Sequence, residues 1–135
     1  MLAMNNDSSK AQAIRSLHKP RGLNRLLRSF GNSAKGLAGC WREEEAFRQE
    51  CWLSLLVIPG AIFFGHTGME RIVLLGPMLL ILVVELLNSA VEAAIDRIGT
   101  ERHALSGLAK DMGSAAVLLS FLLLIASWSF VLLDR

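Results

Sequence analysis

Three apolar runs, at 51–64, 72–84 and 115–133, dominate the pattern of the chain, and polar segments separate them. Only the third approaches the roughly 20 residues that cross a bilayer unaided. The first two fall short by about one or two turns. Their helices must therefore continue into polar flanks that meet headgroups, water or protein. With those flanks, spans are expected at about 48–66, 71–97 and 111–133. Pro59 and Pro77 fall inside the first two and are expected to kink them, which intramembrane helices tolerate. Ahead of the spans, Leu23, Leu26, Leu27 and Phe30 recur at helical spacing, with Arg21, Arg25 and Arg28 interleaved. That is the pattern of a helix lying in a membrane interface, apolar side in lipid. The segment 41–50 alternates charged and apolar residues, as expected of a helix running into the first span. The expected fold is all-α: an N-terminal amphipathic surface helix within about 21–50, then three transmembrane helices.

Composition narrows the class. The chain has 135 residues, one domain's worth, and 53% of them are hydrophobic. Three such runs cannot all be cores of a soluble protein this small, because too little polar chain remains to cover them. The first thirty residues are polar and basic, so no secretory signal is expected there. Residues 1–20 read as a disordered basic tail. Cys40 and Cys51 are too few for a disulfide framework or a zinc site and read as unpaired thiols.

Net charge is only +2, but it is polarised. Lys10, Arg15, Lys19, Arg21, Arg25, Arg28, Lys35 and Arg42 fall between Ser8 and Arg42 with no acid among them. By the positive-inside rule this segment is cytoplasmic. The loop 65–71 then lies outside, the loop 97–110 inside, and Asp134 with Arg135 outside. The inner loop carries Arg97, Arg102 and Lys110, the outer one only Arg71, in keeping with that orientation. The basic surface helix admits two readings: an electrostatic anchor to anionic lipid, or cations facing a phosphorylated substrate.

The second span holds the candidate chemistry. Glu85, Asn88, Ser89, Glu92 and Asp96 fall within an arc of roughly 100°. Leu86, Leu87, Ala90, Val91 and Ala94 take the opposite face. An ionisable residue inside a membrane helix costs at least ~2.5 kcal/mol and is a functional hypothesis by default. Counting from Arg71, Glu85 lies about 21 Å in and Glu92 about 10 Å further, near the cytoplasmic headgroups. A carboxylate in low dielectric is poised to accept a proton. One at the wet edge stays ionised and suits a hard cation such as Mg2+. For Asn88 and Ser89 the simpler reading is hydrogen bonding between helices. Glu43, Glu44, Glu45, Arg48, Gln49 and Glu50 at the inner end of the first span, and His103, Lys110 and Asp111 in the inner loop, converge on the rim where Glu92 lies. No Walker loop, kinase Gly-rich loop, metalloprotease His-Glu-x-x-His or Gly-x-Ser-x-Gly elbow is present. Any nucleotide chemistry must be done by helices at a membrane edge.

The stretches Glu45-Ala46-Phe47-Arg48-Gln49-Glu50, Glu85-x-x-Asn88-Ser89-x-x-Glu92-x-x-x-Asp96-Arg97 and Lys110-Asp111-Met112-Gly113-Ser114-Ala115-Ala116 resemble the bacterial integral membrane diacylglycerol kinase family. The resemblance runs from about Gly22 to the C-terminus, making 21–135 a membrane kinase domain. It implies a homotrimeric bundle in the bacterial inner membrane that moves the ATP γ-phosphoryl group onto diacylglycerol, giving phosphatidic acid, with Mg2+ as cofactor and no nucleic-acid partner. Residue by residue, it implies Glu85 as general base and Glu44 with Glu92 as metal-binding carboxylates. Nucleotide contacts fall to Arg25, Asn32, Glu44, Glu92, Glu101, Arg102, His103, Lys110 and Asp111. Substrate contacts fall to Arg25, Ala46, Phe47, Arg48, Gln49, Glu50, Glu85, Asn88 and Ser114. Asn32 stands where a nucleotide-contacting tyrosine is familiar, and the chain has no Tyr. Gly65 stands where an acidic residue is often seen.

The residues fit phosphoryl transfer, which asks for an aligned nucleophile, a neutralising cation and cationic clamps such as Lys110 and Arg25. Glu85 and Glu92 are about 10 Å apart along one helix, while reacting groups must align within roughly 3–3.5 Å. Either side-chain reach and the bound phosphates close that gap, or base and metal site come from neighbouring chains. The shared site is the favoured expectation, since short polar-flanked spans gain from oligomerisation. Other readings are a kinase of another lipid alcohol such as undecaprenol, a small proton- or ion-translocating subunit, and a membrane scaffold without chemistry.

Overall fold

The computed structural model describes residues 22–99, 101 and 103–134. The expected tail 1–20, Arg21 and Arg102 lie outside the described residues. Among the described residues the structure is all helical: α1 Leu23–Glu43, α2 Glu45–Phe64, α3 Gly68–Ile98 and α4 Ala104–Leu133. The last three are each long and apolar enough to cross a membrane, at 20, 31 and 30 residues. Contacts divide the chain into one unit up to Gly36 and another from Leu37 onward. In the first, α1 has no buried residue, and Leu23, Leu26, Leu27 and Phe30 are all exposed.

α1 and α2 are separate helices, where a single helix through 41–50 was expected. Glu44 alone leaves helical conformation, at φ −106° and ψ 116°. Arg48 supplies the physical reason. Its Nη1 turns back and donates to the carbonyls of Trp41 at 3.0 Å and Arg42 at 3.1 Å. Those are among the terminal carbonyls that a helix end leaves without intrahelical partners.

The last three helices begin before their apolar runs, and α3 also continues past the end of its own. α3 opens on Thr67, whose hydroxyl accepts from the Glu70 amide at 3.1 Å and donates to Glu70 Oε1 at 3.1 Å. The Glu70 carboxylate also accepts from the His66 amide at 3.0 Å, one residue before the N-cap, in a variant of the capping box. α4 begins at Ala104, where the His103 ring accepts from the Leu105 amide at 3.2 Å. Lys110 and Asp111 consequently lie within the helix, some two turns past its start. Helix continues unbroken through Pro59 and Pro77. In the α2–α3 turn, a Cβ on Gly65 would meet Arg71 Cγ at 2.5 Å, while Arg71 Nε donates to the Gly65 carbonyl at 2.9 Å. A side chain at 65 is thus incompatible with this Arg71 clasp.

α3 packs against both α2 and α4. The core lies in the N-terminal half of α3, where Leu74, Met78 and Ile81 are fully buried. Met78 and Ile81 pack with Leu124, and Leu53, Val57, Leu82, Phe121 and Trp128 surround them. Trp128 locks this end. Its indole Nε1 donates to the Leu74 carbonyl at 3.2 Å, three residues before Pro77, and its ring meets Phe64 edge-on with centroids 6.2 Å apart. Replacing Trp128 by Ala is expected to cost about 3 kcal/mol through lost packing, and by Phe about 1 kcal/mol through the lost hydrogen bond. Thermal unfolding in detergent micelles measures both.

Candidate functional site

Towards the C-terminal half of α3 the polar stripe passes between α2 and α4. Glu85 is 4% exposed, the most deeply buried member of the stripe. Asn88, Ser89 and Glu92 are half-buried and Asp96 is exposed, so the stripe emerges from the protein along the helix. Two clefts meet at Glu85. The first, of about 320 Å³, is lined by Glu44, Ala46, Glu85, Asn88, Glu92, Ser114 and Val117. The second, of about 350 Å³, is lined by Ala46, Gln49, Glu50, Leu53, Glu85, Val117 and Phe121. One is acidic and the other mostly apolar. Glu85 belongs to both.

Glu44, at the one-residue break between α1 and α2, lines the acidic cleft together with Glu85 and Glu92 of α3. Asn88 Nδ2 donates to Glu92 Oε1 at 3.1 Å, which fixes one oxygen of that carboxylate. Among the described residues no group of three or more His, Cys, Asp or Glu converges as a metal cage. What the acidic cleft offers is two carboxylates near its rim. That donor set suits a hard cation that completes its shell with phosphate and water.

The other sequence-nominated residues separate into distinct places. Glu50 is buried, and its Oε2 has no hydrogen-bond partner among the described residues. Gln49 stands next to it in the second cleft and donates to Glu45 Oε1 at 3.2 Å. Phe47 is buried, and Arg48 is engaged with the end of α1. Glu101, His103 and Lys110 line a third cavity of about 400 Å³ with Asp96. There Lys110 Nζ pairs with Asp96 Oδ1 at 2.6 Å, tying α4 to α3. Asp111 is exposed. Arg25 and Asn32 belong to the unit before Leu37 and are exposed, and Arg102 lies outside the described residues.

Three features of the site go beyond the residues nominated from the sequence. Val117 and Phe121 follow Ser114 along α4 and supply the apolar wall, a continuation visible in the helical period once Ser114 is placed. Asp96 holds Lys110, a pairing between residues 14 apart that no local pattern announces. Cys40 Sγ lies 3.6 Å from Ser89 Oγ, joining α1 to α3. Burial pushes the Cys40 thiol up from its ordinary value. Cys40 and Cys51 are both free thiols.

Comparison with known proteins bears on the same stretch of chain. Residues 31–132 match the family described as prokaryotic diacylglycerol kinase. A diacylglycerol kinase of Haemophilus influenzae is 45% identical over 116 residues, 86% of this chain and 98% of that protein. One from Escherichia coli K12 is 44% identical over 111 residues, 82% of this chain and 91% of its own. One from Pseudomonas aeruginosa is 44% identical over 112 residues, covering 83% and 91%. The family match spans α2, α3 and all but the last residue of α4, with the carboxylates that line the clefts, and the chain belongs to the prokaryotic diacylglycerol kinase family.

Proposed function

We propose that this chain is a lipid kinase that transfers the γ-phosphoryl group of ATP to the free hydroxyl of diacylglycerol, giving phosphatidic acid. The observation that carries the proposal is the position of Glu85 between an acidic cleft and an apolar one. A lipid alcohol approaches from the side of Leu53, Val117 and Phe121, and the phosphates from the side of Glu44 and Glu92. Glu85 faces both. It accepts the hydroxyl proton as the alcohol oxygen bonds to the γ-phosphorus and the bond to the β,γ-bridging oxygen breaks, releasing ADP.

Mg2+, held by Glu44 and Glu92 with the substrate phosphates, would offset charge on the transferring group. Asn88 keeps the Glu92 carboxylate in place for that role. The cavity of Glu101, His103 and Lys110 suits the remainder of the nucleotide; the family resemblance alone adds Arg102, Asp111, Arg25 and Asn32 to the nucleotide contacts. Ala46, Gln49 and Glu50 line the apolar cleft and serve the lipid side. Asn88 and Ser114, which line the acidic cleft, and Phe47 and Arg48 join the substrate contacts on the strength of the family resemblance. The basic N-terminal segment orients the protein in the bacterial inner membrane with its N-terminus cytoplasmic and its C-terminus outside. α1 lies in the inner interface with Leu23, Leu26, Leu27 and Phe30 in lipid.

The working form in this reading is a homotrimer with active sites shared between chains. Ala46 and Ser114 remain exposed at the rim of the acidic cleft, where a second chain can close the wall. Apolar residues such as Leu55, Leu56, Leu118 and Leu122 are exposed to serve lipid or neighbouring helices.

Purified protein in mixed micelles is expected to move label from γ-radiolabelled ATP into phosphatidic acid. Glu85→Gln should lower kcat by roughly 10²–10⁴-fold, the usual worth of a positioned base. Transport without lipid phosphorylation would sink the reading, and faster initial rates on undecaprenol would redirect it to another lipid alcohol. Chelation with EDTA is expected to abolish transfer, and added Mg2+ to restore it. Mixing Glu85→Gln chains with Glu92→Gln chains should recover activity if sites are shared, and should recover none if each site is built within one chain.

A further inference from the structure

The Asn88 carboxamide is tightly confined. Its NH2 holds Glu92 Oε1, and its Oδ1 is buried with no hydrogen-bond partner among the described residues. An amide free to choose its place would find an acceptor and a donor, since a buried polar atom left unmet is costly. Something fixes this one. The side chain lies directly against the backbone of α4 at Gly113. A Cβ at 113 would collide with Asn88 Oδ1 and stand 3.1 Å from Asn88 Cγ. Gly113 is in helical conformation, where alanine is the better helix former. Its glycine is explained by the approach of Asn88, not by the backbone.

We infer that Gly113 is a positioning residue: by lacking a side chain it lets the Asn88 amide lie flat on α4 and hold the Glu92 carboxylate in the orientation that receives a divalent cation. This deepens the reading of the acidic cleft as a cation and phosphate site, and it rests on that reading. Partners of a metal-binding carboxylate typically tune affinity or activity by 10–100-fold, roughly the size to be expected here. Gly113→Ala pushes the amide off α4, and Glu92 loses the donor that sets its oxygen.

Three variants test this: Gly113→Ala, Asn88→Ala and the double variant Gly113→Ala/Asn88→Ala. Each is read by titration with Mn2+ alone, followed by electron paramagnetic resonance, by the Mg2+ dependence of lipid phosphorylation, and by thermal unfolding. The expected result is Mn2+ binding weakened about 10-fold or more in all three, with a matching rise in the Mg2+ needed for half-maximal rate. The double variant, freed of the collision, should regain thermal stability over Gly113→Ala while its cation binding stays weak. Recovery of Mn2+ binding in the double variant would overturn the inference and leave Gly113 a packing residue. Wild-type affinity in Gly113→Ala, or no Mn2+ binding by the wild type, would overturn it too. Should Gly113→Ala fail to fold, Asn88→Ala and the double variant decide together: equal stability and equally weak Mn2+ binding support the inference, and a double variant that binds or folds differently from Asn88→Ala overturns it. Wild-type Mn2+ binding without transfer of phosphate to diacylglycerol would instead count against the proposed lipid kinase function and leave the Gly113 inference standing.

Discussion

A carboxyl group inside a membrane helix has to be enclosed by protein or opened to water, because hydrocarbon solvates neither its charge nor its hydrogen bonds. Glu85 imposes that constraint on everything around it. α2 and α4 both pack against α3, and Leu53, Val117 and Phe121 line an apolar cleft on one side of the carboxyl. On the other side the stripe opens step by step through Asn88 and Glu92 to the exposed Asp96. Glu50 adds a second buried acid in the same neighbourhood, so the helices here pack around polar groups and not only against one another.

The two ends of the bundle divide the work. At one end Leu74, Met78, Ile81, Leu124 and Trp128 form dense apolar packing, with the indole meeting a backbone carbonyl near Pro77. At the other, half-buried polar residues leave room for clefts. Rigid packing beside a cavity-rich region is the arrangement that holds reactive groups in place while leaving space for a ligand. The pairing of Lys110 with Asp96 and the amide of Asn88 then stiffen the cavity-rich end without filling it.

What is legible in the sequence is whatever repeats within a helix. The spacing of Glu85, Asn88, Ser89, Glu92 and Asp96 defines one face through helical periodicity alone, and the apolar runs locate α2, α3 and α4. The longer reach of α3 and α4 depends on polar ends and caps: Thr67 with Glu70 is a readable signal, whereas the His103 ring as a cap is a weak one. The break at Glu44 is hidden because its cause, Arg48, acts on carbonyls six and seven residues back. Contacts between helices are out of reach for the same reason. Nothing local tells that Gly113 meets Asn88 or that Lys110 meets Asp96, since those distances are set by how α4 lies on α3.

The single non-helical residue at Glu44 also determines how the chain tolerates changes in length. A helix transmits an insertion as a turn of about 100° per residue to everything beyond it. α1 ends at Glu43 and α2 starts afresh at Glu45, so a residue gained or lost within 23–36 leaves the register of α2 untouched. One residue inserted between Glu45 and Glu50 would instead swing Glu50 around the axis, out of the cleft it shares with Glu85. The joint thus uncouples the length of α1 from the register of α2, whose spacing is fixed to the residue.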